Sequence, residues 1–395
     1  MEDLLSDRIK STPSSFIRNI FKTVSDPDII SFAGGLPNPV SFPSEELKIS
    51  SARIIDTYGA KVFQYSTTPG LIELREVIAK RYNEKFHLDL TYENIIITTG
   101  SQQALDLISK AFINKGDGVI VEKPTFLGAL QVFSQYQPVF NPVTLEEHGL
   151  NINELKEVIK KQNKLMYIIP DFQNPTGLTY SKENKLEIQN LIKNENIVLI
   201  EDDPYGELRF EDEHEPYIGL GVMKNSVVLG SFSKTITPGM RLGYAISYNK
   251  ELLSKISLAK EASDLHTNIF AQYLIYDYLT HNDLDCHIEK IKALYKSQAQ
   301  TMVSAMKKYF PPCVKFTEPK GGMFLWVTLP EHVSALSIFE KAVQKKVTFV
   351  PGDPFFTQDI KKNTLRLNYT NADSKTIEVG IQRLAELLKE IIWKR

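Results

Sequence analysis

Between residues 95 and 260, short continuous runs of apolar and β-branched residues alternate with longer stretches of helical periodicity. Asn94–Thr99, Gly118–Glu122, Leu165–Ile169, Ile197–Ile200, Val227–Gly230 and Leu242–Ser247 each read as a strand. Helical patterns over Gln102–Phe112, Leu127–Tyr136 and Lys182–Asn194 fall between them. Strands that are apolar on both faces and separated by helices predict an α/β architecture, a mostly parallel sheet covered on both sides. In such sheets ligands bind beyond the carboxyl ends of the strands.

The last third of the chain has a different rhythm. A long helix is predicted over Asp283–Tyr309, followed by strands at Val314–Phe316, Gly321–Val327 and Leu365–Tyr369, and by an amphipathic helix over Ser374–Trp393. Sparse strands bracketed by helices predict a smaller α+β domain. The expected division is a segment 1–44 joining the small domain, a large domain 45–285 and a small domain 286–395.

Composition narrows the class. A chain of 395 residues, 42% apolar and 24% charged, exceeds what one core usually serves and matches a large soluble enzyme. A net charge of -2 gives no reason to expect binding to nucleic acid or a membrane surface. Two cysteines make no disulfide framework, the acidic start Met1–Asp7 lacks the order of a signal peptide, and no apolar run approaches a membrane span. A cytoplasmic protein is expected.

Chemistry gathers where the strands end. Lys234 follows the strand Val227–Gly230 inside Ser231-Phe232-Ser233-Lys234-Thr235, and lysine is among the residues least often buried without a partner. Its tunable amine suits Schiff-base chemistry. Arg241, seven residues on, offers a fork of donors for a phosphate. Ser101 and Gln102 open a helix directly after a strand, a place suited to an anion. Asn174 lies in Asp171-Phe172-Gln173-Asn174-Pro175-Thr176-Gly177 and Asp202 in Glu201-Asp202-Asp203-Pro204-Tyr205, each after another strand. Taken singly, the serine is also an ordinary helix cap, the Asn-Pro a turn and the acids a solvated loop. Their convergence on one sheet edge matches the needs of pyridoxal 5'-phosphate: an amine for the aldehyde, a carboxylate for the ring nitrogen, and arginine with a helix N-terminus for the phosphate.

The same motifs carry a family resemblance. Ser31–Pro39, Gln64-Tyr65-Ser66 with Gly70-Leu71, Gly100–Ala104, Gln173–Gly177, Glu201–Tyr205, Ser231–Lys234, Gly239–Gly243 and Leu365–Tyr369 stand in the order found in fold-type I, class I/II aminotransferases. They span nearly the whole chain. The likeness is nearest to the 2-aminoadipate and kynurenine aminotransferase branch, which is similar to the effector domains of MocR-type regulators.

The resemblance implies that Lys234 is the Schiff-base lysine and the proton shuttle, that Asp202 pairs with the ring nitrogen, and that Asn174 and Tyr205 bond the ring's phenolic oxygen. It implies a phosphate site of Ser101, Gln102, Ser231 and Arg241, with Ser233 also beside the cofactor and Tyr65 reaching the phosphate of a neighbouring subunit in a homodimer. Arg366 would clamp the substrate α-carboxylate, assisted by Asn174 and the Gly35 backbone, and Arg18 would cover the site as a substrate lid. Phe126 stands where relatives often carry tyrosine, so ring stacking is kept and a hydroxyl contact is lost. No metal is expected.

The expected activity is ping-pong transfer of an amino group from an L-amino acid to a 2-oxo acid. Other pyridoxal reactions, β-lyase or decarboxylase, share such a site. A regulatory module is disfavoured because fewer than about 35 residues precede Gly34, too few for a winged helix and linker. A nicotinamide dehydrogenase lacks support, since no Gly-x-Gly-x-x-Gly follows a strand.

Overall fold

The computed structural model describes residues 2–12, 28–211 and 215–393. Its centre is an eight-stranded sheet in the order β2-β9-β8-β7-β6-β3-β4-β5. Here β2 is Ile95–Thr98, β3 Gly118–Lys123, β4 Val139–Glu146, β5 Gly149–Leu150, β6 Asn163–Ile168, β7 Val198–Asp202, β8 Ser226–Ser231 and β9 Gly243–Ile246. The pairs β4–β3, β3–β6, β6–β7 and β7–β8 are parallel, while β9 runs against both of its neighbours. All residues of β2 and β7 are buried, which is why Ile95–Ile97 and Val198–Ile200 are runs of apolar residues rather than alternating ones.

The helices that cover the sheet follow from their spacing. Ser101–Phe112 buries Ala104, Leu105, Leu107 and Ile108 on one face, and Lys182–Ile192 buries Ile188 and Ile192. Leu284–Tyr309 buries Leu284, Ile288, Ile291, Tyr295, Ala299, Met302 and Met306 at steps of three and four, and packs along the closing helix Ser374–Trp393.

A second sheet of four strands has the order β10-β11-β14-β13, with β10 Lys315–Phe316, β11 Phe324–Thr328, β13 Val350–Pro351 and β14 Thr364–Asn368. Two-residue strands β1, Ile30–Ser31, and β12, Val347–Thr348, pair in parallel and tie the early chain to this part. The strand Val139–Glu146 is absent from the sequence pattern because Asn141 and Pro142 interrupt it. Proline gives no ladder hydrogen, and β4 tolerates it beside the two-residue edge strand β5. Among the described residues, no helix is long and apolar enough to cross a membrane.

Candidate active site

Lys234 lies in the turn after β8, half-buried, and its Nζ donates to the carbonyl of Gly35 at 2.9 Å. Burial lowers its ammonium from 10.5 to about 8, and the guanidinium groups of Arg241 and Arg366 push in the same direction. That shift moves the amine toward the neutral, nucleophilic form near physiological pH.

Of three consecutive acids at the end of β7, only one keeps an oxygen unengaged. Glu201 accepts from the backbone N–H groups of Ile218 and Gly219, each at 2.8 Å. Asp203 accepts from the Gly206 N–H at 2.8 Å and from the Tyr217 hydroxyl at 2.6 Å. Asp202 is 3% exposed; Oδ2 takes the Tyr167 hydroxyl at 2.8 Å, and Oδ1 is buried without a partner. Burial raises its carboxyl to about 7, opposed by the Tyr167 hydrogen bond. An orphaned buried oxygen at a strand exit is costly unless something charged or donating completes it.

Arg366 is 1% exposed in the middle of β14. Nη1 donates to Asn174 Oδ1 and Nη2 to the Ala33 carbonyl, both at 2.8 Å, and Nε is buried without a partner. Its guanidinium lies 4.2 Å from the centre of the Phe324 ring and 5.4 Å from that of Phe355. Burial lowers it to about 10. Among the described residues no carboxylate pairs with it, which leaves its charge for an anion. Tyr205 is buried against Phe324, and burial holds its hydroxyl well above the ordinary phenol range, opposed by Arg366.

A third group surrounds the start of the helix Ser101–Phe112. Ser101 Oγ is buried and unpartnered. Gly100, at φ 75°, leaves room for Arg241: a Cβ there would stand 2.9 Å from Arg241 Nη2. The Gln102 side chain donates to the Gly128 carbonyl at 3.0 Å, and the Phe126 ring packs beside Gly128. Ser231 Oγ accepts from the Ser233 N–H at 3.1 Å and shapes the turn that delivers Lys234.

Lys234 is thus linked to Gly35, Arg241 and Arg366, Arg366 to Asn174 and Tyr205, and Tyr205 in turn to Asp202. Tyr65 stands apart: it is 80% exposed, and its ring meets the edge of the His266 ring, 5.9 Å between centroids. Arg18 lies outside the described residues. Tyr167 and the Ala33 carbonyl were not singled out from the sequence. Tyr167 sits inside a wholly apolar run and reads as core, and a backbone carbonyl carries no residue signal.

The family model for class I and II aminotransferases matches residues 47–384. An aromatic-amino-acid aminotransferase of Thermococcus litoralis is 39% identical over 100% of this chain and 96% of its own. The crystal structure of Pyrococcus horikoshii kynurenine aminotransferase, in complex with PMP, superposes with a TM-score of 0.94 at 39% identity, covering 100% of this chain and 98% of that one. The α-aminoadipate aminotransferase of Thermus thermophilus, complexed with N-(5'-phosphopyridoxyl)-L-leucine, does so with a TM-score of 0.91 at 36% identity, covering 99% and 98%.

Proposed function

The chain belongs to the class I and II aminotransferases and uses pyridoxal 5'-phosphate to transfer amino groups; from that premise we propose which of its residues do so and on what substrates. The observation that carries the assignment is Lys234 at the exit of β8, its Nζ on the Gly35 carbonyl at 2.9 Å, with burial and, in the same direction, Arg241 and Arg366 lowering its ammonium.

The unpartnered atoms suit the cofactor. Asp202 Oδ1 would take the ring nitrogen, and Tyr167 leaves that oxygen and no other for it. Ser101 Oγ, the first amides of its helix and Arg241 would take the phosphate, joined by Ser231. Asn174 and Tyr205 would meet the phenolic oxygen, and Phe126 would lie against the ring. When bound, the cofactor supplies an aldehyde that accepts the amino group and a ring that withdraws electrons from the substrate Cα. Lys234 Nζ would take the proton from that Cα, as general base. Arg366 would hold the α-carboxylate with its remaining donors, fixing which Cα bond faces the amine.

For substrates we propose 2-aminoadipate or glutamate together with aromatic or aliphatic donors, and 2-oxoglutarate as acceptor. The names of the relatives support both donor classes. Arg18 would pair with a distal carboxylate and move aside for apolar side chains. We further propose a cytoplasmic homodimer, a large domain 45–285 with segments 1–44 and 286–395 forming the small one, and Tyr65 reaching across the dimer. The exposure of Tyr65 and of Phe63, Val40 and Leu36 supports such a contact.

The test is a panel of amino donors with 2-oxoglutarate, read by glutamate formation, on wild type and Arg18→Ala. Loss on 2-aminoadipate with leucine and kynurenine spared supports the lid. Equal effects on all donors remove Arg18 from the site, and pyruvate with ammonia in place of glutamate would mark a lyase.

A further inference from the structure

Beneath the loop that carries Asn174 lies a carboxylate that the proposed reaction never touches. Glu122, near the carboxyl end of β3, is 1% exposed. It accepts three hydrogen bonds, from Ile169 N at 3.0 Å, Gln173 Nε2 at 2.8 Å and the Tyr180 hydroxyl at 2.8 Å. So deep a carboxylate persists only where donors surround it, and its position then dictates theirs.

Gln173 is the member of this set that matters for the site. Its Nε2 also donates to the Pro124 carbonyl at 2.9 Å, while its Oε1 accepts from Thr176 N at 3.0 Å and Thr176 Oγ at 2.7 Å. The side chain therefore spans the turn Gln173-Asn174-Pro175-Thr176 with both ends fixed. Glu122 and the Pro124 carbonyl both take the amide's N–H groups while Thr176 donates to its oxygen, so Glu122 helps fix which way the amide points. Beyond the turn, the Thr176 carbonyl takes Thr317 Oγ at 2.8 Å, and Thr317 Oγ takes Trp326 N at 2.9 Å. Trp326 is the register partner of Arg366 across β11 and β14. The turn thus grips Arg366 twice, directly through Asn174 and indirectly through the strand beside it.

We propose that Glu122 is a positioning residue for substrate carboxylate recognition. By fixing Gln173 it sets the Asn174 turn, and through that turn the Arg366 guanidinium, where the α-carboxylate is read. The inference rests on Arg366 being the carboxylate clamp. Glu122 touches neither substrate nor cofactor, so its removal acts on binding of the carboxylate rather than on the amine chemistry at Lys234.

The test uses the cofactor-loaded protein and 3-phenylpropanoate, a carboxylate with no amino group to react, with binding followed by calorimetry. In Glu122→Gln an N–H meets the Gln173 N–H, or the exchanged amide turns its donors on Ile169 and Tyr180. The dissociation constant should rise about 5- to 100-fold, the range expected when a buried polar group loses its partner. KM for all α-amino acid donors should rise in parallel, kcat should fall less, and cofactor content and absorbance should stay as in wild type. Combining Glu122→Gln with Gln173→Glu restores a donor facing an acceptor and should recover part of the affinity. Gln173→Leu, which leaves Glu122 its other two donors, should weaken 3-phenylpropanoate to a similar degree and serves if the first variant does not fold. Wild-type affinity in Glu122→Gln and in Gln173→Leu, with only a lowered Tm, would overturn the proposal. Wild-type affinity in Arg366→Ala would instead overturn the clamp on which it rests.

Discussion

A lysine held near two arginines is a chemical statement before it is a structural one. Because Lys234 is lowered from 10.5 to about 8, the protonated form gives way to the neutral amine as pH rises through that value. The rate at which cofactor-free protein captures pyridoxal 5'-phosphate, followed by absorbance, should climb with a midpoint near pH 8 and then level off. A rate still climbing at pH 10 would deny the described environment. The second residue-scale prediction concerns Asp202, whose carboxyl is raised to about 7 by burial and held from rising further by Tyr167. Tyr167→Phe removes that restraint, so the carboxyl gains its proton at higher pH, and the acid limb of cofactor affinity should move upward. Asp202→Asn, which cannot become anionic, should slow proton abstraction in single turnover far more than it weakens cofactor binding. Glu201-Asp202-Asp203 offers a carboxylate by its sequence, and only the resemblance chooses among the three. Their different partners, backbone amides, Tyr167 and Tyr217, come from β6 and from the segment near residue 218, and that information is not local.

At the scale of elements, the site is made of strand exits, one helix start and one strand of the second sheet. The helix Ser101–Phe112 needs a residue before it that tolerates φ 75° and leaves Arg241 its place, and Gly100 meets both needs. Gly100→Ala should cost about 1–3 kcal/mol through backbone strain. Its methyl would also push the Arg241 guanidinium aside, so pyridoxal 5'-phosphate should bind more weakly by calorimetry and Tm should fall. Arg366 gives the complementary case on β14. Truncating one partner of a buried charged hydrogen-bonded pair costs about 2–5 kcal/mol, so Arg366→Ala should lose roughly 30-fold to several thousand-fold in kcat/KM. The loss should be shared by every α-amino acid; one confined to acidic donors would reassign the residue to side-chain recognition. The fully buried strands and the two long helices were legible because their periods are uninterrupted. The strand β4 holding Pro142 and the two-residue pair β1–β12 were not, since each is held by neighbours distant in the chain rather than by its own pattern.

For the whole molecule, residues of two sheets build one site, and Phe63 and Tyr65 are exposed. If Tyr65 serves a neighbouring subunit, Tyr65→Ala should lower cofactor affinity while leaving the mass of the assembly, by light scattering, that of a dimer; a protein that is monomeric and fully active would contradict the shared site. Transfer of an amino group by way of Lys234 is open to one isotope experiment. Cofactor-loaded wild type and Lys234→Ala are given 15N-labelled aromatic amino acid and 2-oxoglutarate, and the label is followed into glutamate by mass spectrometry. The account predicts labelled glutamate in step with loss of the donor for wild type, and a collapse of transfer in a Lys234→Ala protein that remains folded. Label released as ammonia, or wild-type transfer without the lysine, would contradict it.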